Sequence, residues 1–255
     1  MYYYIFEQPK SKHERAAFEK IREVARNFGI YGEITQVSPA RSAKELVEIA
    51  TNKRYTTIVA IGDDFHINTV VTTIINYNQK YSFALGVICT DPNSILYDRW
   101  GFKTAEEACE TLKQRKLTSF SVGLVEPDYY YLSSIKIIPP KPTKIYLEVS
   151  HWKAEAIIDR AEISNNLYIL LERQIKEKSR LRAAYNWLMG KENVTSDQSV
   201  FKGKNIKIDS DVPIPVYIGS KIIKQTPINV YRKPNALNVI TKRDKIIAKI
   251  KRNSS

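Results

Sequence analysis

The apolar positions of the first 122 residues change period several times. Tyr2 to Phe6 is a short apolar run of the kind a buried strand shows. In ERAAFEKIREVARNFG, Phe18, Ile21, Val24, Ala25 and Phe28 recur at helical spacing, and Gly29 stands where a helix C′ residue belongs. YGEITQV alternates as a short strand. Ser42 and Glu45 have the spacing of a capping box opening a helix over SAKELVEIATNK. YTTIVAIG reads as a buried strand, and a helix follows from about Ile67 to Asn76. FALGVICT is a further buried strand. Thr104 and Glu107 suggest a second capping box before KTAEEACETLKQRK, and LTSFSVGLVE returns to strand. Strands alternating with helices predict right-handed βαβ units and a mostly parallel, Rossmann-like sheet.

The pattern then changes. KPTKIYLEVS, AEAIIDRAEIS, NLYILLERQI, NIKIDS, IPVYIG, TPINVYR and LNVITK are short β-type segments separated by Pro, Gly, Asn and Asp. That predicts an antiparallel sandwich or barrel. Between them Ser179 to Lys191 reads as a helix, with Leu181, Tyr185 and Leu188 at one spacing. The expected fold class is α/β followed by all-β. Residues 1–122 form the α/β domain, residues 123–241 the β-sandwich, and residues 242–255 a basic tail, helical to about Ile250.

Composition narrows the classes. With 255 residues, 43% of them hydrophobic, the chain has the makings of a soluble globular protein. No apolar stretch approaches the roughly 18 to 20 residues that span a bilayer. MYYYIFEQPK lacks the basic n-region of a signal peptide. Cys89 and Cys109 make no disulfide framework and suit a reducing cytoplasm.

The net charge of +13 is unevenly placed: residues 1–122 carry 16 Lys/Arg against 14 Asp/Glu, residues 123–255 carry 24 against 13. The second half is therefore expected to meet something anionic, unless its cations are only a solvated face. The interleaved Tyr, Trp and Lys of YLSSIKIIPPKPTKIYLEVSHWK read as ordinary sandwich strands, and no nucleic-acid partner is expected. Arg180, Arg182 and Trp187, flanked by Leu181, Leu188 and Met189, are candidates for contact with an anionic bilayer; the alternative is a helix packed on the sandwich.

Candidate chemistry centres on TTIVAIGDDFHINTVVTTII, which places a Gly-Asp-Asp turn between a buried strand and a helix. Such a turn presents backbone amides to phosphate, and a residue without Cβ allows close approach. Gly62 meets that need, whereas Asp63 adds negative charge and Phe65 adds bulk. His66 has two readings, a donor to phosphate or a cap of the turn. Asp64 likewise reads as a metal-linked carboxylate or as a turn and N-cap residue. His13, His66 and His151 lack metal-ligand spacing, and no Walker loop, Gly-x-Ser-x-Gly elbow or Cys-x-x-Cys pair occurs.

Three stretches resemble the diacylglycerol kinase catalytic family, lipid kinases related in fold to NAD kinases. VAIGDDFHINTVV aligns without a gap on that family's Gly-Gly-Asp-Gly-Thr turn and the Ile/Leu-Asn-Glu-Val that follows it. Gly62, Asp63, Asp64, Phe65 and His66 fall on the turn, and Ile67 and Asn68 fall on the helix start. ALGVICTDPNSILYDRWGFKTAEEACETLKQRKLTSFSVGLV follows the rhythm of a second family stretch. The C-terminal run matches at Ser210, Asp211, Pro213, Pro215, Val216, Thr226, Pro227, Pro234, Ala236 and Leu237. EQPKSK agrees more faintly, at Pro9 and Ser11.

The resemblance implies a phosphofructokinase-like α/β nucleotide domain followed by a β-sandwich, with ATP and Mg²⁺ between them and the tail returning to the first domain. Gly62, Asp63, Asp64, His66, Asn68, Pro9 and Ser11 would then surround the phosphates, with Asp64 as metal ligand. The other acidic positions of the family are replaced. Its Asn-Asp pair reads Ser94 and Ile95, although Asp91 and Asp98 lie near. A third carboxylate reads Ser121, and the base position reads Gly219 within YIGSK. Two functions follow. One is a lipid kinase that transfers phosphate from ATP to a lipid hydroxyl. The other is a catalytically degenerate module that binds nucleotide or anionic membrane. Both imply a cytoplasmic protein peripheral to the membrane.

Overall fold

Four parallel strands build the base on which the Gly-Asp-Asp turn rests. The computed structural model describes residues 1–77, 83–176 and 194–242, and its chain divides into two compact units. The first comprises residues 1–122, 128–133 and, of the described chain, 233–242. It runs β1 (Tyr2–Phe6), α1 (Lys12–Asn27), β2 (Gly32–Gln36), α2 (Ala43–Asn52), β3 (Thr57–Gly62), α3 (Asp64–Tyr77), β4 (Ala84–Cys89), α4 (Tyr97–Trp100), α5 (Ala105–Gln114), β5 (Leu117–Val125, whose last three residues belong to the second unit) and β6 (Tyr129–Tyr131). The strand order β2-β1-β3-β4 is parallel throughout. Tyr4 pairs with Ile34 on one side and Val59 on the other, so β1 is central.

Both faces of this sheet are covered, which is why β3 and β4 are apolar at every position rather than alternating. Phe18, Ile21 and Val24 of α1 join Cys109 and Leu112 of α5 in one core against Val59, Ile61 and Ile88. α3 buries Ile67, Val70, Val71 and Ile74 fully. It begins at Asp64, three residues before the expected start, because Asp63 accepts the His66 amide at 2.9 Å and so caps the helix.

The second unit comprises residues 123–127 and 134–232. It is antiparallel and holds β7 (Ser134–Ile137), β8 (Thr143–Val149), β9 (Trp152–Ile158), β10 (Arg160–Ser164), β11 (Tyr168–Lys176), β12 (Val194–Lys202), β13 (Asn205–Ser210), β14 (Pro215–Ile218) and β15 (Lys221–Gln225). One sheet has the order β12-β11-β10-β7-β14-β15; in the other, β13 pairs with β8, and β8 with β9. Burial alternates along β8, β13 and β14, as strands with one face on a core require. The expected α/β plus all-β class is the observed one.

Several β segments differ from the sequence reading. TPINVYR and LNVITK form one strand, β16 (Ile228–Ile240). Its first residues pair with β13 in the second unit, and Asn238 and Val239 pair with Ala84 and Leu85 in the first. AEAIIDRAEIS is divided between β9 and β10 by Asp159. β12 and β15 were not legible as strands: VTSDQSVFK and KIIKQ are mostly polar, and both lie at sheet edges where one side faces solvent. The expected helix at Ser179 to Lys191, with Arg180, Arg182 and Trp187, and the tail beyond residue 242 lie outside the described residues. Among the described residues no helix is long and apolar enough to cross a membrane.

Candidate functional site

In an open parallel sheet, ligands bind beyond the carboxyl ends of the strands, where the chain order changes direction. Here that place lies between β1 and β3. It brings together Glu7 and Lys10 after β1, Gly62 to His66 after β3, and Thr90 to Ser94 after β4. Gly62 is needed sterically: a Cβ there would stand 2.7 Å from Glu7 Cβ and 3.0 Å from His66 Cδ2. The turn is closed on its other side by the Thr90 amide, which donates to the Gly62 carbonyl at 3.0 Å.

The amides that such a turn would offer to phosphate are taken by the protein's own carboxylates. The Asp63 amide donates to Glu7 Oε2 at 2.8 Å, and the His66 amide donates to Asp63 Oδ1 at 2.9 Å. Lys10 lies between the two acids, with Nζ 2.7 Å from Glu7 Oε1 and 2.6 Å from Asp63 Oδ2. Both carboxylates are largely shielded, at 13% and 19% side-chain exposure, against 57% for Lys10. Burial pushes Glu7 above the usual carboxylate range despite these partners. Burial pushes Asp63 the same way, but Lys10 and the His66 amide outweigh it and hold Asp63 below the usual range. Lys10 loses hydration too, yet its two acids raise its pKa further than burial lowers it.

The charge arrangement fixes a pH test. Asp63, with its pKa depressed, adds stability above its unfolded value of 3.8 that is lost as pH falls through the folded value. Lys10→Met leaves two shielded acids facing each other, so their folded pKa values rise and folding then favours protonation. The variant should be about 1 to 2 kcal/mol less stable near pH 7, the half-exposed ammonium limiting the loss. That deficit should shrink as pH falls from neutral into the acid range, where the pair takes up a proton. Thermal unfolding across this range checks it; a deficit independent of pH would contradict the shared-cation geometry.

His66 and Asn68, both expected near phosphate, are engaged elsewhere. His66 is buried, and its Nε2 lies 3.0 Å from the Ile5 carbonyl, which makes Nε2 the protonated nitrogen of a neutral ring. Burial lowers its pKa, in keeping with that form. Asn68 is wholly buried and spends its amide on protein: Nδ2 donates to the Asp64 carbonyl at 2.7 Å and to Ser133 Oγ at 3.1 Å, and Oδ1 accepts from the Leu132 amide at 2.7 Å. Ser11 caps α1 by accepting the Glu14 amide at 3.1 Å, and Pro9 sits half-buried in the connection before it. Phe65 is half-buried at the start of α3.

Asp64 is buried and accepts a hydrogen bond from the Ser94 hydroxyl. Ser94 in turn accepts the Leu96 amide at 2.9 Å. Asp91 uses its carboxylate on the Asn93 amide at 2.9 Å and so builds this turn. Burial raises the Cys89 thiol to about 11, which keeps it an unreactive thiol at neutral pH. Gly219 adopts φ +56° in the turn between β14 and β15, a conformation that favours glycine and puts no acid there. Among the described residues no group of three His, Cys, Asp or Glu side chains is arranged to hold a metal ion.

The observed side chains do not fit Mg²⁺ with a triphosphate. Two amides of the turn already hold carboxylates, Lys10 is neutralised by two acids, and Asp64 is bound to Ser94. Beside the turn lies a cavity of about 480 Å³, lined by His13, Lys20, Cys89, Thr90, Tyr97 and Lys103 among others. Sequence reasoning missed Glu7 and Lys10. The available signal was an acid and a base three residues apart at the end of a buried strand.

Residues 3–125 match the family model described as the diacylglycerol kinase catalytic domain. No curated protein matches the chain. Among solved structures, a diacylglycerol kinase from Bacillus anthracis str. Sterne superposes with a TM-score of 0.67 at 13% identity, covering 94% of this chain and 96% of its own. Two structures of a candidate diacylglycerol kinase from the same organism give a TM-score of 0.70 at 11% identity, with the same coverage. At such identities the likeness speaks for the fold.

Proposed function

We propose, from the premise that residues 3–125 are a diacylglycerol kinase-type catalytic domain, that this lipid-kinase-like protein is a binding module and not a phosphotransferase. The observation that carries this reading is the Glu7 carboxylate on the Asp63 amide at 2.8 Å, with Lys10 held between Glu7 and Asp63. Phosphoryl transfer depends on positioning and on neutralising the phosphates. A turn that already holds an anion of its own supplies neither amides nor a net positive charge. Ser94 and Gly219 at two acidic positions of the family weaken the same chemistry independently. Losing a general base alone removes about 10² to 10⁴ in rate.

As a binding module its ligand is an anionic lipid surface, in keeping with the net charge of +13 and its concentration in the second half of the chain. The kinase reading draws on a different observation. Asp64 stands on the family's aspartate at the first position of α3 and keeps its carboxylate; that reading needs Glu7 to leave the turn when nucleotide arrives.

Labelled ATP, Mg²⁺ and diacylglycerol vesicles separate the two. The native protein should leave lipid label at background, equal to that of Asp64→Ala. Label entering lipid with the native protein, and lost in Asp64→Ala, would establish the kinase.

A further inference from the structure

Three loops of the second unit are stitched together at one end of its sheets. The Lys204 amide donates to Ser150 Oγ at 2.9 Å, and the Ser150 amide donates to the Asn205 carbonyl at 3.0 Å. The Gly203 amide donates to the Leu167 carbonyl at 3.2 Å, and the Leu167 amide closes its own turn on the Ser164 carbonyl at 2.9 Å. Gly203 allows this closeness, since a Cβ there would lie 2.5 Å from Val149 Cγ1. The bonds hold residues 149–153, 164–168 and 201–205 as one platform.

The platform shows water a particular set of side chains. Trp152 is 80% exposed, and Tyr168 and Phe201 are 44% and 37% exposed. His151, Lys153, Lys202 and Lys204 are exposed among them, and the three segments contain no Asp or Glu. Lys202 Nζ lies 4.7 Å from the centre of the Tyr168 ring. Of the nearby acids, Glu155 is paired with Lys144 at 2.6 Å, and Glu148 stands opposite Lys153 in the β8–β9 ladder. A single exposed aromatic residue is ordinary; Trp152 and Tyr168 beside Lys153, Lys202 and Lys204 need a reason.

We propose that this loop platform is the surface by which the protein docks on an anionic bilayer, with Trp152 entering the headgroup layer and the lysines above it. Indole rests favourably at a membrane interface, where its apolar ring and polar N–H are both satisfied. Lysines beside an anionic leaflet each add attraction that salt screens. The assignment names the residues that serve the anionic-surface reading above, and it holds whether or not phosphate is transferred.

The test uses the full chain carrying Trp187→Phe, so that exposed Trp152 and buried Trp100 are its two indoles. Vesicles of phosphatidylglycerol and phosphatidylcholine at low salt should shift Trp152 emission to the blue, and brominated lipid should quench it. Trp152→Ala should weaken vesicle affinity about tenfold. Lys202→Gln with Lys204→Gln should weaken it about 25-fold, roughly fivefold per lysine. Trp152, Lys202 and Lys204 are exposed, and unchanged thermal unfolding would show that each variant is folded. Unaltered vesicle affinity in these variants would overturn the proposal. So would binding that leaves Trp152 emission unmoved, which places the contact elsewhere. A loss of single-stranded oligonucleotide affinity with vesicle binding intact would assign the platform to nucleic acid instead. Label transfer to lipid is read in a separate assay, so a failed docking surface and a failed non-catalytic reading remain distinguishable.

Discussion

Asn68→Ala should destabilise the first unit by about 3 kcal/mol. The truncation removes one buried acceptor and two donor bonds at once, to Leu132, Asp64 and Ser133. It also leaves the Leu132 amide without its partner in a dry environment, and an orphaned buried N–H costs about 1 to 3 kcal/mol by itself. Two of the bonds are long-range: Asn68 is 64 residues from Leu132 and 65 from Ser133. They attach residues 130–133 to α3, a task shared with Thr72, whose hydroxyl donates to the Tyr130 carbonyl at 2.8 Å. Urea unfolding followed by far-ultraviolet dichroism reads the loss, since the described helices all lie in the first unit. A loss below about 1 kcal/mol would mean that Asn68 is not the tie it is drawn to be, and would restore a phosphate role.

A larger change in binding is expected when the turn is relieved of its own acids. Glu7→Ala with Asp63→Gly frees the amides at positions 63 and 66 and releases Lys10 from both carboxylates. The double variant should bind tripolyphosphate about a hundredfold more tightly than the native protein, the equivalent of one or two charge-assisted hydrogen bonds gained. Asp63→Gly also removes the α3 cap, which costs about 1 kcal/mol, so cooperative unfolding must be checked beside the titration. Equal, weak affinity in both proteins would show that the carboxylates are not what fills the turn.

Local rules carried much of the fold. The Ser42 and Glu45 box forms with both of its bonds, the serine accepting the Glu45 amide and Glu45 accepting the Ser42 amide. The Thr104 and Glu107 box forms by half. Thr104 accepts the Glu107 amide, whereas the Glu107 carboxylate turns to the Lys103 amide and to Lys242. A cation 135 residues away is invisible to a four-residue motif. The same limit governs the site. The turn residues Gly62 to His66 were legible because strand, turn and helix are contiguous. What satisfies their amides was not, since Glu7 lies 56 residues from Asp63 and meets it through the pairing of β1 with β3. His66 and Asn68 looked like phosphate contacts because they follow the turn. Helix geometry aims them instead at the Ile5 carbonyl and at Leu132, both fixed by tertiary structure. Edge strands β12 and β15 escaped for a related reason: their neighbours, not their own apolar pattern, hold them in the sheet.

The most direct measurement is a calorimetric titration of the native full chain with ATP, with and without Mg²⁺. A turn filled by Glu7 and Asp63 predicts no saturable binding at ligand concentrations up to about 1 mM, and no response to Mg²⁺. Saturable, Mg²⁺-dependent binding that disappears in Asp64→Ala would contradict it, and would mean that the two carboxylates yield their place to the nucleotide.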